Sequence, residues 1–240
     1  MKVIAITQKG PFKKENEDRI IVGKSIISSG TFITDFSNGV IAIADGVGGN
    51  NAGAVASHFV AGKITATEDL TIQKLSDINR ELLNISFEKN EYKGMATTFS
   101  GVQILSENNN LFNIGNSRVY LLQGGKYLKQ ITKDDTTLNY LLATGQLSSD
   151  EVEKFNRKNE ITACFGGGNE NYFKIKVEPM STIVSPIMIT SDGVHDYLSI
   201  DEMEDILDQF GLSAATAEEM IARARANGSL DDASIILGEV

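Results

Sequence analysis

Gly39-Val-Ile-Ala-Ile-Ala-Asp45-Gly46 is an apolar run that climbs straight into an aspartate and a glycine. A short run rich in β-branched residues reads as a buried strand, and a glycine directly after it lets the backbone turn sharply. A second run far downstream, Ile187-Met-Ile-Thr-Ser-Asp192-Gly193, repeats the pattern. In both, the aspartate is expected where the strand leaves the core. A carboxylate in that position is costly unless a cation pairs with it. Two strand ends that each deliver one point to a shared partner, and a divalent metal is the obvious choice.

Working outward, residues 3–7, 19–27, 30–34 and 40–44 read as strands. Residues 51–67 read as a helix, with Val55, Phe59, Val60 and Ile64 near helical spacing. Residues 72–90 follow as a second, with Leu75, Ile78, Leu82, Leu83 and Phe87 on one stripe. Strands are expected again at 96–105, 111–114, 118–123 and 126–131, the last two joined by a Gly124-Gly125 hairpin. Residues 136–144 look helical, and 145–158 are polar and irregular with a helical turn at 148–155. Strands at 172–177 and 183–190, helices at 200–209 and 214–226, and a strand at 233–240 complete the pattern. Strands in meanders with helices in consecutive pairs indicate an α+β fold: two antiparallel sheets face to face with helices outside, a four-layer α-β-β-α sandwich. No Pro/Gly/Ser-rich linker divides the chain, so one domain over residues 1–240 is expected.

Of the 240 residues, 41% are hydrophobic and 22% charged, which is ample material for a core. The net charge of −10 gives no overall basic footprint for nucleic acid or for an anionic membrane surface. No apolar stretch approaches the ~20 residues of a membrane span. With a single cysteine, Cys164, no intramolecular disulfide can form, and a reducing, cytoplasmic address is expected. Only His58 and His195 accompany it, so a Cys–His catalytic pair has little support.

Four acidic clusters lie beside expected strands: Glu15-Asn-Glu-Asp18, Asp45-Gly46, Asp192-Gly193 and Asp231-Asp232. They offer hard oxygen donors, including the Gly46 carbonyl, and such donors suit Mg²⁺ or Mn²⁺. Zinc is disfavoured because histidine and cysteine are nearly absent. Any one Asp-Gly is also a common turn dipeptide, and for a single unit the turn reading stands beside the metal one.

Seven motifs now fall in one order. Gly10-Pro-Phe-Lys-Lys-Glu-Asn-Glu-Asp18 and Ala44-Asp-Gly-Val-Gly-Gly-Asn-Asn-Ala-Gly-Ala-Val-Ala56 come first, then Gly94-Met-Ala-Thr-Thr98 and Asn113-Ile-Gly-Asn-Ser-Arg118. Asn159-Glu-Ile-Thr162, Ser191-Asp-Gly-Val-His-Asp196 and Asp231-Asp232 complete the series. Together they resemble the motifs of the metal-dependent protein phosphatases of the 2C type, in the bacterial single-domain form, over essentially the whole chain. The resemblance implies the same sandwich and a catalytic centre holding two Mn²⁺ or Mg²⁺ ions. Their ligands would be Asp45 as the bridge, the Gly46 carbonyl, Asp192 and Asp231, with Asp18 as a ligand or holding metal-bound waters. It implies hydrolysis of phosphoserine or phosphothreonine in proteins by a metal-activated water, opposite a cognate Ser/Thr kinase, by a monomer. A catalytically weakened binding or regulatory module on the same fold is the alternative.

Departures from the pattern carry expectations of their own. The family's phosphate-binding arginine falls on Lys13, which supplies charge without a bidentate fork. Asn116 stands where bacterial members have an aspartate for a third metal, so with Asp196 it implies at most a weakly held third ion. Val47 replaces a histidine proposed as general acid in animal members. His58 is assigned to a helix surface and His195 to the edge of the site, and Gly193 to the turn alone. Residues 134–160 correspond to a flap beside the active site, either gating substrate or forming a passive surface insertion.

Overall fold

Val40 and Ala42 pack toward two helices, whereas Ile41 and Ile43 pack against the opposite sheet. The run that opens on Gly39 is apolar throughout because both of its faces are covered. The second run behaves the same way: Ile187 and Ile189 join the layer between the sheets, and Met188 faces the other helix pair. Residues near the chain start alternate likewise, with Val3 and Ala5 between the sheets and Ile4 and Ile6 under helices. Three apolar layers therefore lie between four structural ones, which is the expected α-β-β-α sandwich.

The computed structural model describes residues 1–48, 52–106, 109–180 and 186–239. In chain order these form strands β1 (Lys2–Gln8), β2 (Asp18–Val22), β3 (Ser25–Ile27), β4 (Gly30–Asp35) and β5 (Gly39–Val47), then helices α1 (Ala52–Thr65) and α2 (Ile72–Glu88). Strands β6 (Ala96–Thr97), β7 (Phe99–Ile104), β8 (Asn109–Ile114), β9 (Arg118–Gln123) and β10 (Tyr127–Gln130) precede helix α3 (Thr137–Ala143). Strands β11 (Phe165–Gly166), β12 (Lys176–Met180) and β13 (Ile187–Thr190), helices α4 (Asp192–His195), α5 (Ile200–Phe210) and α6 (Ala214–Ala226), and strand β14 (Ala233–Glu239) follow. One sheet runs β10-β9-β13-β14-β1-β4. The other runs β11-β6-β5-β7-β8-β12, with β2 paired to β5 and to β3. Every strand pair among the described residues is antiparallel.

Several local expectations change. The single strand at 19–27 is a hairpin, because Gly23 adopts φ +60° and folds β3 back on β2. The strand at 172–177 begins only at Lys176, because the Asn169 side chain accepts from the Asn171 N–H and winds 170–172 into a 3₁₀ turn. Phe87 is 68% exposed, and helix α2 buries Leu75, Ile78, Leu82 and Leu83 without it. The expected helix start at Asn51, the expected strand residues 183–185 and the last residue, Val240, lie outside the described residues.

Helices α2, α5 and α6 begin where a hydroxyl can cap them. Thr71, Ser199 and Ser213 each accept an N–H from the first turn, and Glu202 completes a capping box with Ser199. Helices α5 and α6 cover the β1-bearing sheet, and α1 and α2 cover the β5-bearing sheet. All four leave open the end of the sandwich where β2 starts, β5 and β13 finish, and β14 begins.

Candidate metal centre

Asp45 lies inside β5 and not past its end. Its cross-strand neighbour is Asp18 on β2, so two carboxylates stand side by side on adjacent strands. The Thr97-Thr98 pair fixes the Asp45 backbone: Asp45 N–H donates to Thr98 Oγ1 at 3.0 Å, Thr98 N–H donates to the Asp45 carbonyl at 2.8 Å, and Thr97 Oγ1–H donates to it at 2.9 Å. Gly46 follows under a steric constraint. A Cβ there would meet the Gly53 carbonyl oxygen at 2.2 Å, and one on Gly53 would meet the Gly46 oxygen at 2.6 Å. Only glycine at both positions lets α1 start so close to β5.

Asp192 does leave its strand, as expected, and opens the four-residue helix α4. The Asn116 amide donates to Asp192 Oδ2 at 3.0 Å. Gly193 serves a close approach and not the turn alone: a Cβ there would stand 1.9 Å from the Asp232 carbonyl oxygen. Asp18 is buried, and the Ser234 hydroxyl donates to its Oδ2 at 2.6 Å.

Asp45, Gly46, Asp192 and Asp231 line one cavity of about 460 Å³, together with Lys13, Glu17, Val47, Asn116, Asn159 and Asp196. Asp18 does not line it. The Lys13 ammonium pairs with Asp231, with Glu17 at 3.0 Å and with Asp232 at 3.1 Å, so it rests among carboxylates. Among the described residues, no three histidine, cysteine or acidic side chains close into a ready cage for an ion. The carboxylates stand as walls of an open cavity.

Electrostatics supplies the fit test for a metal. Burial, followed by repulsion from Asp192 and Asp18, pushes the Asp45 carboxyl well above the usual range. Burial and then Asp231 raise Asp192. Burial pushes Asp18 up to about 7 despite hydrogen bonds from Ser234 and Ser191, and burial with the nearby Asp192 charge pushes Asp196 to about 7 as well. Lys13 is the ammonium placed among these acids. Burial works against its charge, but Asp231, Glu17 and Asp232 hold its proton above the ordinary lysine range. An all-oxygen donor set with such an excess of negative charge is chemistry for a hard divalent cation.

The two histidines separate. His58 is exposed on α1. His195 is buried beside the site: its Nδ1 lies 2.7 Å from Thr190 Oγ1, its Nε2 lies 3.9 Å from Asp196, and burial pushes its pKa far down. Cys164 is buried away from the cavity, and burial pushes its thiol up to about 11. In the 134–160 segment, α3 and a 3₁₀ turn at Ser149–Lys154 form an arm that returns to the cavity, where the Asn159 amide donates to Asp196 Oδ2 at 2.5 Å.

No family model matches the chain. A protein of Listeria monocytogenes serotype 4b, a serine/threonine phosphatase, is 28% identical over 97% of this chain and 93% of its own length. The crystal structure of the serine/threonine phosphatase Stp1 from Staphylococcus aureus superposes with a TM-score of 0.79 at 25% identity, over 99% of this chain and 94% of that one. Over nearly its whole length the chain is similar to bacterial serine/threonine phosphatases, among them a putative 2C-type protein phosphatase of Streptococcus pyogenes, 27% identical over 90% of this chain and 93% of its own length. The fold is also that of the catalytic domain of the serine/threonine protein phosphatase PstP in complex with two manganese ions, with a TM-score of 0.75 at 24% identity over 100% of this chain and 99% of that one.

Against the 2C-type pattern, the residue that motif reading passed over is Asp232. Its side chain is nearly inaccessible, Oδ1 accepts the Gly10 N–H at 2.8 Å, and Oδ2 accepts the Glu17 N–H at 2.7 Å. It ties the loop carrying Lys13 to the start of β14. Ser191, whose Oγ accepts the Ser234 N–H at 3.0 Å, ties β13 to β14. A pair of adjacent aspartates in which one must turn inward was the available signal.

Proposed function

We propose that this chain hydrolyses phosphoserine and phosphothreonine esters in proteins with two divalent ions, Mn²⁺ or Mg²⁺, held by Asp45, the Gly46 carbonyl, Asp192 and Asp231. The observation that carries this reading is the convergence of Asp45, Asp192 and Asp231 on one cavity whose acids far outnumber its one ammonium. Bound ions of this kind acidify water and neutralise the charge that develops on the phosphoryl group.

The chain's own residues do the rest. Thr97 and Thr98 hold Asp45 by its backbone, and Asn116 orients Asp192 through one carboxylate oxygen. Asp18 supports Asp45 from the neighbouring strand. Lys13 binds the substrate phosphate as a point charge once it leaves Asp231. Asn116 and Asp196 together offer one carboxylate and one neutral amide, which supports no more than a weakly held third ion. We assign residues 1–240 to one catalytic domain, with 134–160 as a flap. The substrates are phosphorylated proteins, opposite a cognate Ser/Thr kinase in the cytoplasm, and the chain acts as a monomer. No helix among the described residues is long and apolar enough to cross a membrane.

Mn²⁺-dependent hydrolysis of p-nitrophenyl phosphate and of a phosphothreonine peptide tests the reading. Turnover of both is expected, with at least a hundred-fold loss in Asp192→Ala. No turnover of the peptide, or turnover that survives Asp192→Ala, overturns it and leaves the binding-module alternative.

A further inference from the structure

Three exposed large apolar residues, the barest of them Phe12, are sequence neighbours of site residues. Phe12, 82% exposed, precedes Lys13; Leu230, 55% exposed, precedes Asp231; Val47, 42% exposed, follows Gly46. The backbone brings the first two together. Lys13 N–H donates to the Gly10 carbonyl at 3.2 Å, a tight turn that puts Phe12 on its outer corner. Gly10 itself packs against the Leu230 carbonyl so closely that a Cβ would stand 2.4 Å from that oxygen. Val47 lines the cavity itself. Phe12 and Leu230 thus each stand one residue from a lining residue, Lys13 and Asp231, and with Val47 they form an apolar rim to the cavity. Isolated exposed apolar residues are ordinary, but a phenylalanine this bare beside a charged cavity in a chain of net charge −10 marks a contact surface.

We propose that this rim binds apolar side chains flanking the phosphorylated residue, so that the enzyme prefers phosphosites with bulky apolar neighbours. The inference rests on the phosphatase reading. The occupant is the substrate segment, because Val47 lines the cavity that takes the phosphate and Phe12 and Leu230 adjoin the lining residues Lys13 and Asp231: a phosphoresidue bound at Lys13 places its neighbours within one residue's reach of Phe12 and Leu230. The preference is hydrophobic because the three side chains offer no charge or hydrogen bond to a partner.

The test compares two phosphothreonine peptides that differ only in carrying leucine or serine on both sides of the phosphoresidue. Binding is read by fluorescence anisotropy in Mn²⁺, and kcat/KM is measured alongside. The unaltered protein is expected to favour the leucine peptide roughly ten-fold in both. In the double variant Phe12→Ser, Leu230→Ser, that ratio is expected to fall to within two-fold of unity. Both positions are solvent-facing, so the variant keeps its core, and its thermal midpoint verifies this. Equal binding of the two peptides by the unaltered protein, or a preference that survives in the double variant, overturns the proposal. A dimer that Phe12→Ser dissociates in sedimentation also overturns it, because the rim then belongs to a second copy. Failure of the phosphatase reading shows separately, as absent turnover of either peptide while the anisotropy ratio still reads the rim.

Discussion

Asp232→Ala is expected to destabilise the protein and to disorganise phosphate binding together. The carboxylate accepts two backbone N–H groups, from Gly10 and Glu17, and pairs with Lys13. Removing it strands two N–H groups that water reaches poorly, at about 1–3 kcal/mol each. Part of that loss is offset, because the Asp232 charge also raises its neighbour Asp18. A net cost of about 2–3 kcal/mol follows, or a thermal midpoint lower by roughly 4–12 °C in a chain of this size. The loop from Gly10 to Glu17 loses its tie to β14, so Lys13 is no longer held over Asp231, and KM for a phosphopeptide is expected to rise several-fold. Thermal denaturation of the metal-free protein and steady-state kinetics in Mn²⁺ measure the two effects. A midpoint within about 2 °C of the parent with an unchanged KM would show that Asp232 is not the anchor described here.

Asp45→Asn keeps the shape but removes a charge that burial and its neighbours oppose, so the metal-free protein should be more stable at pH 7.5 while losing its Mn²⁺-induced rise in thermal midpoint; calorimetry with and without Mn²⁺ reads both. Raised carboxyl pKa values favour the folded state when protonated, so in chelator the contribution of Asp18 and Asp196 to stability should be complete below about pH 4 and be lost as pH rises through their values of about 7. Saturating Mn²⁺ should flatten or reverse that slope. Lys13→Arg is expected to lower KM for a phosphopeptide several-fold by adding a bidentate fork, and an unchanged KM would remove Lys13 from phosphate capture.

The central strands were legible because burial on both faces leaves continuous apolar runs: Ile41 and Ile43 face one layer and Val40 and Ala42 the other, as Ile187 and Ile189 do against Met188. Helix α2 was legible from its stripe of Leu75, Ile78, Leu82 and Leu83. What escaped reading depends on contacts between distant segments. Gly23 splits the strand at 19–27 only because Ile27 finds Ile20 across the turn. Phe87 lies beyond the edge of the buried face of α2, and its neighbour Ser86 takes the inward position in the last turn. The acids around the cavity stood out as clusters, but nothing local separates Asp231, whose side chain is 44% exposed, from Asp232, whose side chain is 1% exposed. Their opposite directions are set by Gly10 and Glu17, more than two hundred residues away in the chain.

The bond between Ser234 and Asp18 spans 216 residues, and the bond between Gly10 and Asp232 spans 222. In the sheet, β14 lies between β13 and β1, so β1 and β13 become near neighbours only when β14 slots in. A growing polypeptide that has already made Asp45 and Asp192 therefore has no site: its β13 edge is unpaired and its opening loop has nothing to tie it. Closure of so long a loop is slow, and no early fragment can use an ion as a template for collapse. Competence as a phosphatase arrives in one late step, when the two halves of the central sheet are zipped by the same strand that carries Asp231 to its place.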